Sequence, residues 1–183
     1  MPTVLVPLAQ GCEEMEAVTI VDILRRAGVE VITAGLDAEP VKASRGITIV
    51  PDMTLDEALQ QDFDMVALPG GLPGADNLNN DARIHALLKK LADSGKFTAA
   101  ICAAPVVLAK AGLLQGKKAT SYPGFLDKMA VPGLTFVVQK VVKDGKVITS
   151  RGPGTAIDFA LELVESLCGH DTRKKVEDGL VRM

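Results

Sequence analysis

Short apolar runs alternate along the chain with stretches in which apolar residues recur every three or four positions. TVLVPL (3–8), VEVITAG (29–35), DMVALPGG (64–71) and FTAAIC (97–102) are of the first kind. They predict strands, several covered on both faces. EEMEAVTIVDILRRA (13–27), residues 81–94 and residues 156–167 are of the second kind and predict helices. Gly28 and Gly169 close the first and the last of these. A further helix is expected over 103–114, with Pro105 near its start, where a missing amide is tolerated. Thr54 with Glu57 three places on is a capping-box pattern that opens a helix over 54–61. Arg45-Gly46 predicts a turn between EPVKAS and ITIVP, and Asp144-Gly145 predicts a hairpin between the strand runs of 136–150. A short polar-faced helix is expected over 170–182.

Strands separated by helices imply a parallel sheet with right-handed crossovers. The expected fold is a three-layer α/β sandwich of flavodoxin-like type with a mostly parallel sheet. In such folds the site lies beyond the carboxyl ends of the strands. Four turns fall there: QGCEE (10–14), PGGLPG (69–74), CAAP (102–105) and SRGPGT (150–155).

Composition narrows the function. Hydrophobic residues are 48% and charged residues 23%, as in ordinary globular proteins. A net charge of -3 with 3% aromatic residues and no Trp argues against a basic nucleic-acid surface or a base-stacking platform. No run reaches the ~18 apolar residues of a membrane helix. The chain enters TVLVPL without a basic region followed by a hydrophobic run, so a cytoplasmic location is expected. Cys12, Cys102 and Cys168 are odd in number and widely spaced, which fits neither a disulfide framework nor a metal site. His85 and His170 lack ligand spacing and read as surface residues, so no metal and no Cys-His dyad is expected.

Cys102 closes a strand and opens a helix among Ala99, Ala100, Ala103 and Ala104. Small neighbours suit a nucleophile lifted out of a sheet on a tight turn. A helix N-terminus would lower the thiol pKa. A buried core cysteine is the other reading. On the first helix Glu16, Ile20, Ile23, Leu24 and Ala27 share one face, apolar except for Glu16. Glu16 is either a buried acid of raised pKa, suited to hold or take a proton beside Cys102, or a residue turned back to solvent. Glu13 and Glu14 are accounted for by the helix dipole. Gly70 and Gly71 either aim amides at an oxyanion or form a plain turn, and SRGPGT either presents Arg151 to an anion or docks the next helix. Tyr122 and Phe125 lie in a loop that could overhang the site. Cys12 is a second thiol in the first site turn or a small turn residue, and Cys168 reads as buried structure. Met15, Val18 and Val21 lie outside the Glu16 face, which predicts a two-fold homodimer through this helix.

GCEEMEAVTIVDILRRAG, VKASRGITIVPD, LPGGLPGADNL, AAICAAP and TSRGPGTAIDFAL together resemble the ThiJ/PfpI family, in its branch with the human Parkinson-disease deglycase-like protein and bacterial YajL. The resemblance runs through nearly the whole chain and implies one ThiJ/PfpI domain over 1–183, of flavodoxin-like (class I glutamine amidotransferase-like) fold. It implies Cys102 as reactive cysteine, Glu16 as its partner, and the amides of Gly71 and Ala103 as oxyanion donors. It places Arg26 and Arg45 at a dimer interface near the site. The eukaryotic branch has a histidine where this chain has Tyr122.

The function expected from these residues and this resemblance is a cysteine-dependent, cofactor-free glyoxalase or deglycase acting on small α-oxoaldehydes or early glycation adducts. The alternative is a non-catalytic redox-regulated chaperone or oxidative-stress sensor working through oxidation of Cys102. A flavin carrier is a remoter reading, disfavoured by the few aromatic residues.

Overall fold

The computed structural model describes residues 1–183. The first half holds β1 (Thr3–Leu8), α1 (Glu14–Arg26), β2 (Glu30–Gly35), β3 (Val41–Lys42), β4 (Thr48–Ile49), β5 (Met53–Thr54), α2 (Leu55–Ala58), β6 (Met65–Leu68), α3 (Gly74–Asn79) and α4 (Ala82–Asp93). The second holds β7 (Phe97–Ile101), α5 (Pro105–Lys110), β8 (Lys118–Ala119), β9 (Thr135–Phe136), β10 (Val141–Asp144), β11 (Val147–Ser150), α6 (Ala156–Cys168) and α7 (His170–Gly179).

Seven strands form one sheet in the order β10-β11-β7-β6-β1-β2-β5. Only β10 runs antiparallel to its neighbour; every other pairing in this sheet is parallel. The apolar runs are unbroken because both faces of the sheet are covered. Along β1, Val4, Val6 and Leu8 join Ile20, Leu24, Phe159 and Leu163 in the core under α1 and α6. Leu5 joins Leu55, Leu78, Ile84, Leu88 and Leu108 in the core under α2 to α5. This is the three-layer sandwich expected from the sequence. α7 lies against α6, with Arg173 held by Glu165 at 2.6 Å.

Local signals explain several boundaries. The Thr54–Glu57 capping box forms and opens α2. Asp81 caps α4 by accepting the Arg83 amide. The Arg45-Gly46 turn joins β3 to β4 as an antiparallel hairpin outside the main sheet.

Three expectations differ. The helix expected over 103–114 is confined to α5, which stops where the Ala111 and Gly112 amides bond back to Val107 and Ala109. Residues 137–140 do not extend a strand of the sheet; β9 pairs instead with β8 in a separate parallel pair, and β10 begins only at Val141. α3 was not expected, because its six residues bury only Gly74, Ala75 and Leu78 and carry too little apolar period to read.

Candidate active site

Cys102 follows β7 with φ +66, in the left-handed region that non-glycine residues rarely occupy. Such backbone strain costs about 1–3 kcal/mol and persists only where its surroundings over-determine it. Here the Cys102 amide donates to the Ser150 carbonyl at 3.0 Å, and its carbonyl accepts from the Tyr122 amide at 2.8 Å. The neighbouring Ala99, Ala100, Ala103 and Ala104 are all buried.

The PGG turn after β6 fits between this elbow and the start of α1. A β-carbon on Gly70 would stand 2.7 Å from Cys102 Cβ and 2.8 Å from the Ile101 carbonyl oxygen. Gly71 has φ +85, and a β-carbon there would lie 2.5 Å from the Glu13 nitrogen. Gly70 also ties α1 down: its carbonyl accepts from the Glu13 amide at 2.9 Å, and its amide donates to Glu16 Oε1 at 3.2 Å.

Glu16 has no exposed surface. Its Oε2 is buried without an aligned hydrogen-bond partner. The thiol of Cys102 lies close enough to act on the carboxyl. Burial first, and the charge of Glu13 second, push Glu16 up to about 8, against the pull of the Gly70 amide and the thiol.

The thiol departs from expectation. Burial, then the charge of Glu16, push Cys102 up to about 12, and the amides of Gly71 and Ala103 oppose this. α5 begins only at Pro105, three residues beyond Cys102, which is itself buried. Cys102 and Glu16 are thus two acids in one dry site, where a charge on either disfavours a charge on the other.

The other candidates are placed as follows. Cys12 is fully buried, its thiol pushed up to about 12 by burial and by Glu14 and Glu13. It serves as a tightly packed turn residue, its carbonyl accepting from the Ser44 amide at 2.8 Å. Tyr122 is 47% exposed and stands edge-on to Phe125, with ring centroids 6.2 Å apart. Arg26 pairs with Asp22 on α1, and the Arg45 side chain is exposed on the hairpin turn. His85 contacts the Asn79 carbonyl at 2.8 Å and His170 faces Glu165, so both are engaged by other helices. Cys168 is only partly buried, less so than expected. No three His, Cys, Asp or Glu side chains gather into a group that could hold a metal ion.

Glu14 has a structural role that the dipole argument did not reveal. Its buried carboxylate accepts from the Arg45 amide at 2.9 Å and from the Ser44 hydroxyl at 3.2 Å, clamping the β3–β4 hairpin onto α1. Burial works against its charge, yet its own amide first, and then the bonds from the hairpin, hold it below the ordinary carboxylate range. The signal available in sequence was an acid pair opening a helix together with a short Ser-Arg-Gly turn, which offers several amides at once.

A groove of about 540 Å³ runs between α1 and the hairpin, lined by Val18, Val21, Arg26, Ile49 and Val50 among others, and by neither Cys102 nor Glu16. Met15 and Val18 are more than half exposed on the same helix.

Comparison with known proteins agrees with this architecture. Protein dj-1beta of Drosophila melanogaster is 47% identical over 179 residues, covering 97% of this chain and 95% of the relative. Glutathione-independent glyoxalase DJR-1.2 of Caenorhabditis elegans is 41% identical over 160 residues, covering 87% and 85%. The crystal structure of Drosophila melanogaster DJ-1beta superposes with a TM-score of 0.95 at 45% identity, covering 100% of this chain and 98% of that one. The model of the DJ-1/PfpI family matches residues 2–166, and by this match, its three-layer sheet and these relatives the chain belongs to the DJ-1/PfpI family.

Proposed function

We propose that the chain is a glyoxalase- or deglycase-like enzyme that acts on α-oxoaldehydes or their early adducts, with Cys102 as nucleophile and Glu16 as proton carrier. The observation that carries this reading is the buried, unpartnered Glu16 Oε2 beside the Cys102 thiol. An acid of raised pKa next to a nucleophile can move protons near neutral pH.

Ionised Glu16 takes the thiol proton as sulfur bonds to the aldehyde carbon. The Gly71 and Ala103 amides face the oxygen that gains charge. Glu16 returns that proton to the oxygen, giving a hemithioacetal. It then removes the hydrogen on the former aldehyde carbon and delivers it to the adjacent ketone carbon, while the hemithioacetal hydroxyl proton passes to the ketone oxygen, leaving a 2-hydroxy thioester. Water cleaves the thioester, releasing a 2-hydroxy acid and regenerating the thiol. One carbon is oxidised and its neighbour reduced, so the reaction requires no outside oxidant and no cofactor. With a glycation adduct, the amine leaves as the second product.

The test is turnover of methylglyoxal to lactate. Cys102→Ser should lose at least about a thousandfold in kcat/KM. Tyr122→Phe should keep most of the activity, because a phenol is a poor base at neutral pH and this hydroxyl makes no hydrogen bond within the chain. Full activity in Cys102→Ser would refute the reading. A wild type without turnover whose Cys102 is selectively oxidised by dilute peroxide would favour a redox sensor instead.

The same reading takes residues 1–183 as one domain, α7 included, acting in the cytoplasm as a two-fold homodimer without a nucleic-acid or membrane partner. No helix is long and apolar enough to cross a membrane. The exposed Met15 and Val18 beside the α1 groove support a second copy as the occupant of that face. Sedimentation at micromolar concentration should give twice the chain mass, and Val18→Glu should shift it to monomer. A monomeric wild type would remove the dimer from the reading.

A further inference from the structure

Besides Glu16, two side chains in the segments around the elbow have buried polar atoms without a partner: Arg151, at one guanidinium nitrogen, and Thr120, at its hydroxyl. They belong to the two segments that hold Cys102. Its amide bonds to Ser150, the residue before Arg151, and its carbonyl to Tyr122, two residues beyond Thr120. β7 and β11 are parallel with Ile101 opposite Ser150, and Cys102 and Arg151 are the residues that follow this last pair. Neighbouring strands lie about 4.8 Å apart, less than the length of an arginine side chain.

The turn that carries Arg151 is held in place. Thr155 Oγ1 accepts from the amides of Arg151 at 3.2 Å and Gly152 at 3.1 Å, and lies 2.7 Å from the Ser150 hydroxyl. The guanidinium stacks 5.9 Å from the Phe136 ring centre. The Tyr122 ring covers Gly152, 3.2 Å from where a β-carbon would stand. Arg25, Arg26, Arg83, Arg173 and Arg182 each have a carboxylate partner. Arg151 has none; of the two acids seven positions away on either side, Asp158 is taken by Arg182 at 2.8 Å and Asp144 accepts from the Lys118 amide at 2.8 Å. A permanently charged guanidinium with a buried donor left unsatisfied is costly by itself and is satisfied by a planar anion.

We propose that Arg151 is a specificity-determining residue that binds the distal carboxylate of an anionic α-oxoaldehyde whose aldehyde end meets Cys102. This rests on the catalytic reading above. 4,5-Dioxopentanoate is a suitable probe, since two methylenes separate its carboxylate from the dicarbonyl. With water it gives 2-hydroxyglutarate, the aldehyde carbon oxidised to carboxylate and the ketone carbon reduced to carbinol.

The experiment compares kcat/KM for 4,5-dioxopentanoate and for methylglyoxal in wild type, Arg151→Gln and Arg151→Lys. Wild type should favour the anionic substrate by about tenfold or more, and Arg151→Gln should lower that ratio at least about tenfold, chiefly through KM. Arg151→Lys should retain part of it, keeping the charge and losing the fork. A ratio unchanged in Arg151→Gln overturns the proposal. Calorimetric titration with 2-hydroxyglutarate tests it without turnover. The Kd should rise at least about tenfold in Arg151→Gln, and equal affinity, or no binding to wild type, overturns it. If neither aldehyde is turned over, the catalytic reading fails and the titration still decides the subsite.

Discussion

Glu16→Gln should remove most of the turnover of methylglyoxal, by about 10²–10⁴-fold, and at the same time make the fold more stable above neutral pH. The loss follows because an amide cannot exchange the proton. The gain follows from linkage. Glu16 is pushed up to about 8 in the folded chain and has an ordinary value of 4.5 when exposed. Between those two values the unfolded chain has released this proton and the folded chain still holds it. Unfolding therefore releases a proton, and stability falls as pH rises through that window, by about 1.4 kcal/mol per unit at most. The accumulated loss by pH 8 is on the order of 3–5 kcal/mol. Glutamine keeps an oxygen for the Gly70 amide and has nothing to ionise. Denaturant unfolding of both proteins at pH 4.5 and pH 8 should show little difference at the lower value and a more stable variant at the higher. Wild-type turnover should rise with pH through about 8, where Glu16 gains the charge that makes it a base. A variant less stable than wild type at pH 8, or a turnover that falls through this range, would show that Glu16 is ionised in the resting site.

Gly70→Ala should unfold the elbow's geometry with a single methyl group. The new carbon would meet Cys102 Cβ at 2.7 Å, the Ile101 oxygen at 2.8 Å and the Ala103 nitrogen at 3.0 Å. Two of these three are backbone atoms, and none is the far end of a flexible side chain, so relief requires the β6 turn and the elbow to separate. A cost of about 2–4 kcal/mol is expected, measured by thermal unfolding. Turnover should fall by about 10²-fold or more, since displacements near 1 Å have that effect on positioned groups. Gly179→Ala provides the contrast. Nothing lies within 4 Å of a β-carbon there, and the site is the end of α7. That variant should be neutral or slightly stabilising, and a comparable loss in both would locate the effect elsewhere than in packing.

Much of this architecture was legible because it is written in local pattern. The runs at 3–8 and 97–102 are apolar without alternation, which only strands covered on both faces require. One acid on the stripe of Ile20, Ile23 and Leu24 singles out Glu16 in the sequence, but burial and a turn back to solvent are equally open there, and only the packing of α1 on the sheet decides for the interior. The features that escaped depend on residues far apart in the chain. The clamp of Glu14 on Ser44 and Arg45 spans about thirty positions and arises only when the hairpin folds back. β8 and β9 are two residues each and exist because they pair with each other. The elevated thiol was misjudged because the helix dipole is a local property, whereas the burial and the Glu16 charge that outweigh it are tertiary. Gly70 is open in the sequence between an amide aimed at an oxyanion and a plain turn; its tight fit against Cys102 needs the third dimension.

The tether between Tyr122 and the elbow runs through main-chain atoms, the amide of one residue to the carbonyl of the other. Position 122 therefore supports Cys102 whatever its side chain, and any residue with an N–H can make the same bond. Only proline is barred. The ring that projects beyond is free to change without disturbing the strained residue beneath it. A substitution at this position therefore changes what stands over Gly152 while the elbow's backbone support stays constant.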